Sequence, residues 1–213
     1  MQFQLINVLA QVGITYFLCY LIMQLKPRWQ VAIACAILVG HWALFVAFPG
    51  TEGPFMSKST NIGAQIDKWV FGHPNDDDWV TINFLTSTVT TLFGVWTGQL
   101  LRSERSHRER MRILAISAVL CLAAGWLIHP WNPIIKRICT TSFTLYSAGW
   151  VLLMLLGFYW LVELKGYRKW TFPLVVIGAN SIFIYSLHQV LQGWLDRAVG
   201  VFTLRFAFLG DFA

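Results

Sequence analysis

Charge is the scarcest feature of this chain. Asp, Glu, Lys and Arg make up 12% of its 213 residues, about half the roughly 25% carried by a soluble globular domain. So few charges cannot cover a water-facing surface, and 56% of the residues are hydrophobic. Together these marks point to an integral membrane protein. Cysteine is also scarce and unpatterned. Cys19, Cys35, Cys121 and Cys139 include no CxxC pair, and all but Cys139 lie inside apolar runs. They read as small buried hydrophobes, with no disulfide or metal framework. The acidic run NDDD at 75–78 lacks the alternate spacing and the glycine of a calcium loop, so it reads as a solvated turn and no metal is expected. No Lys or Arg precedes Lys26 and no small-residue cleavage site is evident, so a cleaved signal peptide is not expected.

Apolar sequence, by contrast, comes in membrane-length pieces. A spanning helix needs about 20 mostly apolar residues. Six segments qualify: 5–24, 30–48, 82–101, 113–128, 142–162 and 171–190. A lone strand in lipid would leave its backbone unpaired, so all six are expected to be helical. The expected fold is all-α: a polytopic bundle of about six transmembrane helices forming a single transmembrane domain over 1–213, with the lipid bilayer as partner. Eleven Trp and sixteen Phe fit aromatic belts at the two interfaces.

The net charge of +6 would suit nucleic acid, but the basic residues sit in short loops between apolar runs, and no nucleic-acid partner is expected. Lys and Arg on alternate sides of the six segments number ten against six. The richer side includes the 102–112 loop with Arg102, Arg105, Arg108, Arg110 and Arg112. The positive-inside rule places that loop in the cytoplasm and both chain ends outside, in what is expected to be a bacterial inner membrane. A first helix that enters from outside without a leader is more natural after earlier helices. The chain therefore reads as the C-terminal portion of a larger membrane protein. The long, acidic 49–81 connector falls on the outer side. Within it, NIGAQIDKWVF at 61–71 sets Ile62, Ile66, Trp69 and Val70 on one helical face, which predicts a short amphipathic helix at the interface.

The chemistry concentrates in HPWNPIIKRICTTSFTLYSAGW at 129–150. Polar and cationic groups between membrane-grade helices are costly and usually functional. Asn132, Lys136 and Arg137 lie in a Pro-broken loop on the expected outer face, and Thr140, Thr141 and Ser142 are natural N-caps for the next helix. Two cations beside a helix N-terminus favour an anion, such as a carboxylate or sulfate on a glycan. A lipid-headgroup anchor reads equally well. The sixth segment sets Ser181, Tyr185 and His188 on one stripe with Asn180 beside it, either as interhelical hydrogen-bonding groups or as substrate lining. In the third segment Gly94 and Gly98 form a GxxxG that permits close helix approach. Its many hydroxyls either bond back to their own helix or line a polar cavity. Of the histidines, His41 reads as a hydrogen-bonded core residue, His107 as solvated and His129 as a structural helix-end group. No catalytic residue is assigned.

These motifs resemble a known family. VLAQVGITYFLCYL at 8–21, GVWTGQLLRS at 94–103, the 130–150 stretch, KGYRKW at 165–170 and GANSIFIYSL at 178–187 are together similar to the heparan-α-glucosaminide N-acetyltransferase family. Gln11-Val12 stands where the family carries a Gln-Arg pair. The resemblance implies a multi-helix transferase with acetyl-CoA as co-substrate, moving an acetyl group to the amine of an amino sugar at a glycan end on the far side of the membrane. The residues read from position and chemistry as substrate-binding candidates are Asn132, Lys136, Arg137, Ser142, Asn180, Tyr185 and His188. The family's leading SLDVFRG segment and the acetyl-carrying His after it have no counterpart here, so pocket walls are expected rather than the acetyl carrier. An amino-sugar permease-like transporter and a non-catalytic membrane scaffold stay open as alternatives, as does a homo-oligomer.

Overall fold

The computed structural model describes residues 8–55, 60–73 and 79–204. The NDDD turn and the two chain ends lie outside them. Every named element among the described residues is helical, as the apolar segments predict: α1 (Val8–Met23), α2 (Pro27–Ala47), α3 (Ile62–Phe71), α4 (Asn83–Arg102), α5 (His107–Ile128), α6 (Thr141–Tyr159), α7 (Phe172–Ala179) and α8 (Ser181–Leu204). One π turn, Trp160–Leu164, extends α6, and one 3₁₀ turn, Lys169–Thr171, precedes α7. The chain divides into two compact units, Met1–Leu164 and Lys165–Ala213.

Local chemistry sets the helix starts. Pro27 opens α2 with its φ already helical. Ser106 and Glu109 stand in capping-box spacing at the start of α5, and the Ser106 hydroxyl accepts the Glu109 N–H at 3.3 Å. Thr140 caps α6, accepting from the Phe143 N–H at 3.4 Å. Asn61 caps α3, accepting from the Ala64 N–H at 3.0 Å. Gly72 ends that helix at φ +81°, a left-handed turn that glycine takes without a Cβ penalty.

In the first unit, many large apolar side chains face outward while a set of uncharged polar ones is buried. Tyr16, Val39, Leu120 and Leu127 are each more than 60% exposed, whereas Gln30, His41, Asn83, Thr86, Asn132 and Ser142 are at most 4% exposed. Water would reverse this arrangement; lipid favours it. Among the described residues, three helices are long and apolar enough to cross a membrane, Pro27–Ala47, His107–Ile128 and Thr141–Leu164, or four if the bent α7–α8 pair counts as one span; the expected six are not confirmed. Over the described residues α1 is apolar but only 16 residues long. In α4, Thr and Ser lower the hydropathy, and their hydroxyls turn back onto the helix: Thr88 donates to the Phe84 carbonyl at 2.7 Å and Thr97 to that of Phe93 at 2.7 Å.

Glycines fix the tightest packing. A Cβ on Gly125 would come within 2.7 Å of the Tyr146 nitrogen, and one on Gly149 within 2.6 Å of Leu122 Cγ. This pair presses α5 against α6, the most extensive helix contact in the chain. The expected GxxxG does not act this way. A Cβ on Gly94 or Gly98 meets nothing within 4 Å, and both line an open groove between α4 and α6. The close approach belongs to glycines that each face the opposite helix, Gly125 toward Ser142 and Tyr146 and Gly149 toward Ala118 and Leu122, which spacing along one helix cannot reveal.

Gln30 ties α1, α2 and α4 together. Its Nε2 donates to the carbonyls of Met23 at 3.3 Å and Leu25 at 2.9 Å, and its Oε1 accepts the Trp96 indole N–H at 2.8 Å. Around this link Cys19, Ala34, Leu38, Val89 and Leu92 form an apolar core.

The amphipathic helix predicted in the connector is α3, but its apolar face is split. Ile62 and Ile66 pack with Phe45 and Val80, while Trp69 is 87% exposed and Val70 54%. Gly63 makes the inward contact possible, since a Cβ there would meet Val80 at 2.7 Å.

In the second unit, α7 and α8 meet at a 73° bend. The sixth apolar segment, read from sequence as one helix, therefore breaks at Asn180. The Asn180 side chain donates to the Val176 carbonyl at 2.9 Å and closes α7, and its backbone carbonyl accepts from Ile184 at 2.9 Å to open α8.

Candidate functional site

The densest group of buried polar side chains lies where the start of α4, the 129–140 loop and the start of α6 converge: Asn83, Thr86, Asn132, Thr140, Thr141 and Ser142 are all buried. Thr140 organises the loop. Its hydroxyl donates to the Pro133 carbonyl at 2.7 Å and accepts the Ile135 N–H at 3.1 Å. His129, at the end of α5, accepts the Ile134 N–H on Nδ1 at 3.2 Å. This is the helix-end role expected of it. Asn83 Nδ2 donates to the Arg137 carbonyl at 2.6 Å, and the Thr141 hydroxyl donates to the Leu38 carbonyl on α2 at 2.8 Å. The loop is thereby held to three helices.

Cys139 sits in this turn at φ +43°, a conformation that a non-glycine residue seldom adopts. Its thiol donates to the Lys136 carbonyl at 3.3 Å. Burial pushes the thiol pKa up to about 11 against the opposing pull of a Thr86 hydrogen bond and the Lys136 charge.

Within this frame the Asn83 Oδ1 has no partner, and Asn132, which is 1% exposed, lacks one at both amide atoms, Nδ2 and Oδ1. A buried amide normally finds one, and leaving it bare costs about 1–3 kcal/mol. Asn132 lies beside a cleft of about 400 Å³ lined by Leu38, Val39, Trp42, Ile128, Trp131 and Thr141. The surface facing the cleft is apolar and aromatic, and the amide of Asn132 lies buried just behind it, next to the Thr141 side chain.

His41 lies one turn beyond Leu38 on α2. It is 3% exposed and meets the Phe45 ring at a tilt of 36° with centroids 4.8 Å apart, yet neither ring nitrogen has a partner. It is a core residue, as expected, but not a hydrogen-bonded one. Nothing in the sequence distinguishes a satisfied core histidine from a bare one.

The other proposed site residues divide between the units. Ser142 is fully buried, with its hydroxyl 3.3 Å from that of Thr140. Lys136 is exposed and places its ammonium 5.8 Å from the Trp79 ring centroid, a cation–π contact. Arg137 is half-buried and held through its carbonyl. Asn180, Tyr185 and His188 lie in the second unit. Asn180 and His188 are exposed, and the Tyr185 hydroxyl accepts from Gln189 Nε2 at 3.0 Å. His107, expected to be solvated, is exposed but bonded: its Nδ1 lies 2.7 Å from the Tyr159 hydroxyl.

Compared with known family models, curated proteins and solved structures, the chain matches none.

Proposed function

We propose that this integral membrane protein takes part in acyl transfer of the kind its motifs resemble, from acetyl-CoA to the amine of an amino sugar, and that the Asn132 cleft receives the sugar. The observation that carries this reading is the bare Asn132 amide beside an aromatic cleft. A sugar offers hydroxyl or acetamido groups that both donate and accept, which match Nδ2 and Oδ1 once the Asn132 side chain turns out toward the cleft. The Trp42 and Trp131 rings offer faces on which a sugar's C–H edge packs. Lys136 and the N-terminus of α6 supply positive potential for an anionic substituent on the same glycan. The chain's contribution is binding and orientation, which lower the barrier by holding the amine in line with the acyl carbon. In the transfer the thioester C–S bond breaks, the new C–N bond forms and the amine gives up a proton.

The test is saturable retention of a radiolabelled glucosamine-terminated glycan by membranes expressing the protein. Retention above empty-vector membranes that is lost in Asn132→Leu supports the reading. Retention equal to empty-vector membranes, or unchanged in the variant, overturns it.

One observation favours a second reading. The 73° break at Asn180 leaves two half-helix ends, the device by which secondary transporters bind substrate at membrane depth. On that reading the protein moves an amino sugar, and proteoliposome uptake of labelled glucosamine distinguishes it from transfer.

A further inference from the structure

A second cleft, at the opposite end of the first unit, has a different chemistry. Its helices, α4 and α5, are joined by a tight turn, yet α5 packs along α6 far more than along α4. The two therefore part to leave a space of about 560 Å³. The walls are mainly apolar, with Phe93, Leu114 and Leu120 beside the hydroxyls of Thr97 and Ser117, and the end toward the α4–α5 turn, the mouth, carries Gln99, Ser103 and Arg105.

The mouth lies in the most basic stretch of the chain, 102–112, with five Arg against two Glu. One of these guanidiniums is fixed. Arg110 Nη1 donates to the buried Tyr159 hydroxyl at 3.2 Å, and Nη2 to the Ser103 carbonyl at the cleft mouth. Its Nε is buried without a partner. Arg105 is held only by Glu109, at 2.7 Å, with both side chains half exposed. Such a surface pair exchanges readily for a stronger anion.

We infer that this cleft binds an anionic phospholipid, with an acyl chain between α4 and α5 and its phosphate against Arg105 and neighbouring arginines. An oily slot in a lipid-facing surface takes a hydrocarbon chain, and an excess of arginine at its mouth selects a phosphate-bearing head over a zwitterionic one. The inference stands apart from the Asn132 cleft and from acyl transfer.

The test uses the full chain in nanodiscs doped with phosphatidylglycerol carrying a diazirine on one acyl chain, or with the matching phosphatidylcholine. Cross-links are mapped by mass spectrometry. The expected result is labelling concentrated at Phe93, Leu114 and Leu120, several-fold stronger for phosphatidylglycerol. Arg105→Gln should cut that preference about fivefold, the effect of one Arg beside an anionic headgroup. Ser117→Phe, which fills the cleft from α5, should abolish cleft labelling while leaving labelling of the outer face at Val119 intact. Equal labelling by the two lipids, or labelling spread evenly over the exposed apolar surface, overturns the inference. Displacement of the label by acetyl-CoA, but not by unlabelled phosphatidylglycerol, would assign the cleft to a nucleotide thioester and also overturn it.

Discussion

Asn83 hangs the 129–140 loop from the first turn of α4: its Nδ2 donates to the Arg137 carbonyl across 2.6 Å, and the residue is 1% exposed. The bond joins positions 54 residues apart and fixes the turn in which Lys136 and Cys139 are presented. Asn83→Ala removes that donor. The expected cost is about 1–3 kcal/mol, with faster amide exchange at 133–140 while exchange in α5 stays unchanged. Uniform acceleration across the first unit would show that the bond serves the whole bundle.

Asn132 should show a conflict between stability and binding. Its bare amide is a cost that a ligand relieves, so Asn132→Leu is expected to raise the midpoint of thermal unfolding, by up to about 1–3 kcal/mol in stability. Sugar-dependent stabilisation should vanish in the same variant. A lower midpoint in detergent without sugar would mean that the amide already has a partner.

The glycines make a paired prediction. Gly125→Ala and Gly149→Ala push a methyl to within 3 Å of α6 or α5 atoms and should each cost about 1–3 kcal/mol by overpacking. Gly94→Ala and Gly98→Ala meet open space and should be neutral or stabilising by up to about 1 kcal/mol through helix propensity. Thermal unfolding of the four variants in one detergent separates the pairs.

Cys139 predicts a pH dependence. Its thiol pKa is raised by burial from an ordinary 9.0 to about 11. The folded state therefore favours the protonated form, and this contribution is complete below about pH 9 and lost as pH rises through 11. Maleimide should leave Cys139 unlabelled at pH 7.5 in the folded protein and label it once the protein is unfolded. Rapid labelling of the native protein would contradict the burial.

The sequence reveals unequal shares of this structure. Apolar runs of membrane length locate α2, α5 and α6 because hydrophobicity is a local property. The Thr140 cap and the start of α6 follow from Thr-Thr-Ser before an apolar run. The break at Asn180 is not legible in the same way. GANSIF is apolar on both sides, and the bend depends on how the asparagine amide closes one helix. The close approaches at Gly125 and Gly149 and the bare amide of Asn132 escape sequence reading for a shared reason: each depends on what stands opposite in space. The 129–140 loop could be singled out from its polar residues between apolar helices, but not that Asn132 alone among them would lack a partner.

The most direct test of the central claim is a binding titration of a glucosamine-terminated oligosaccharide against the purified protein in nanodiscs, run beside Asn132→Leu. The account predicts saturable binding to the native protein and none to the variant, with the variant at least as stable to heat. Equal binding by the two proteins, or none by the native protein, would contradict it.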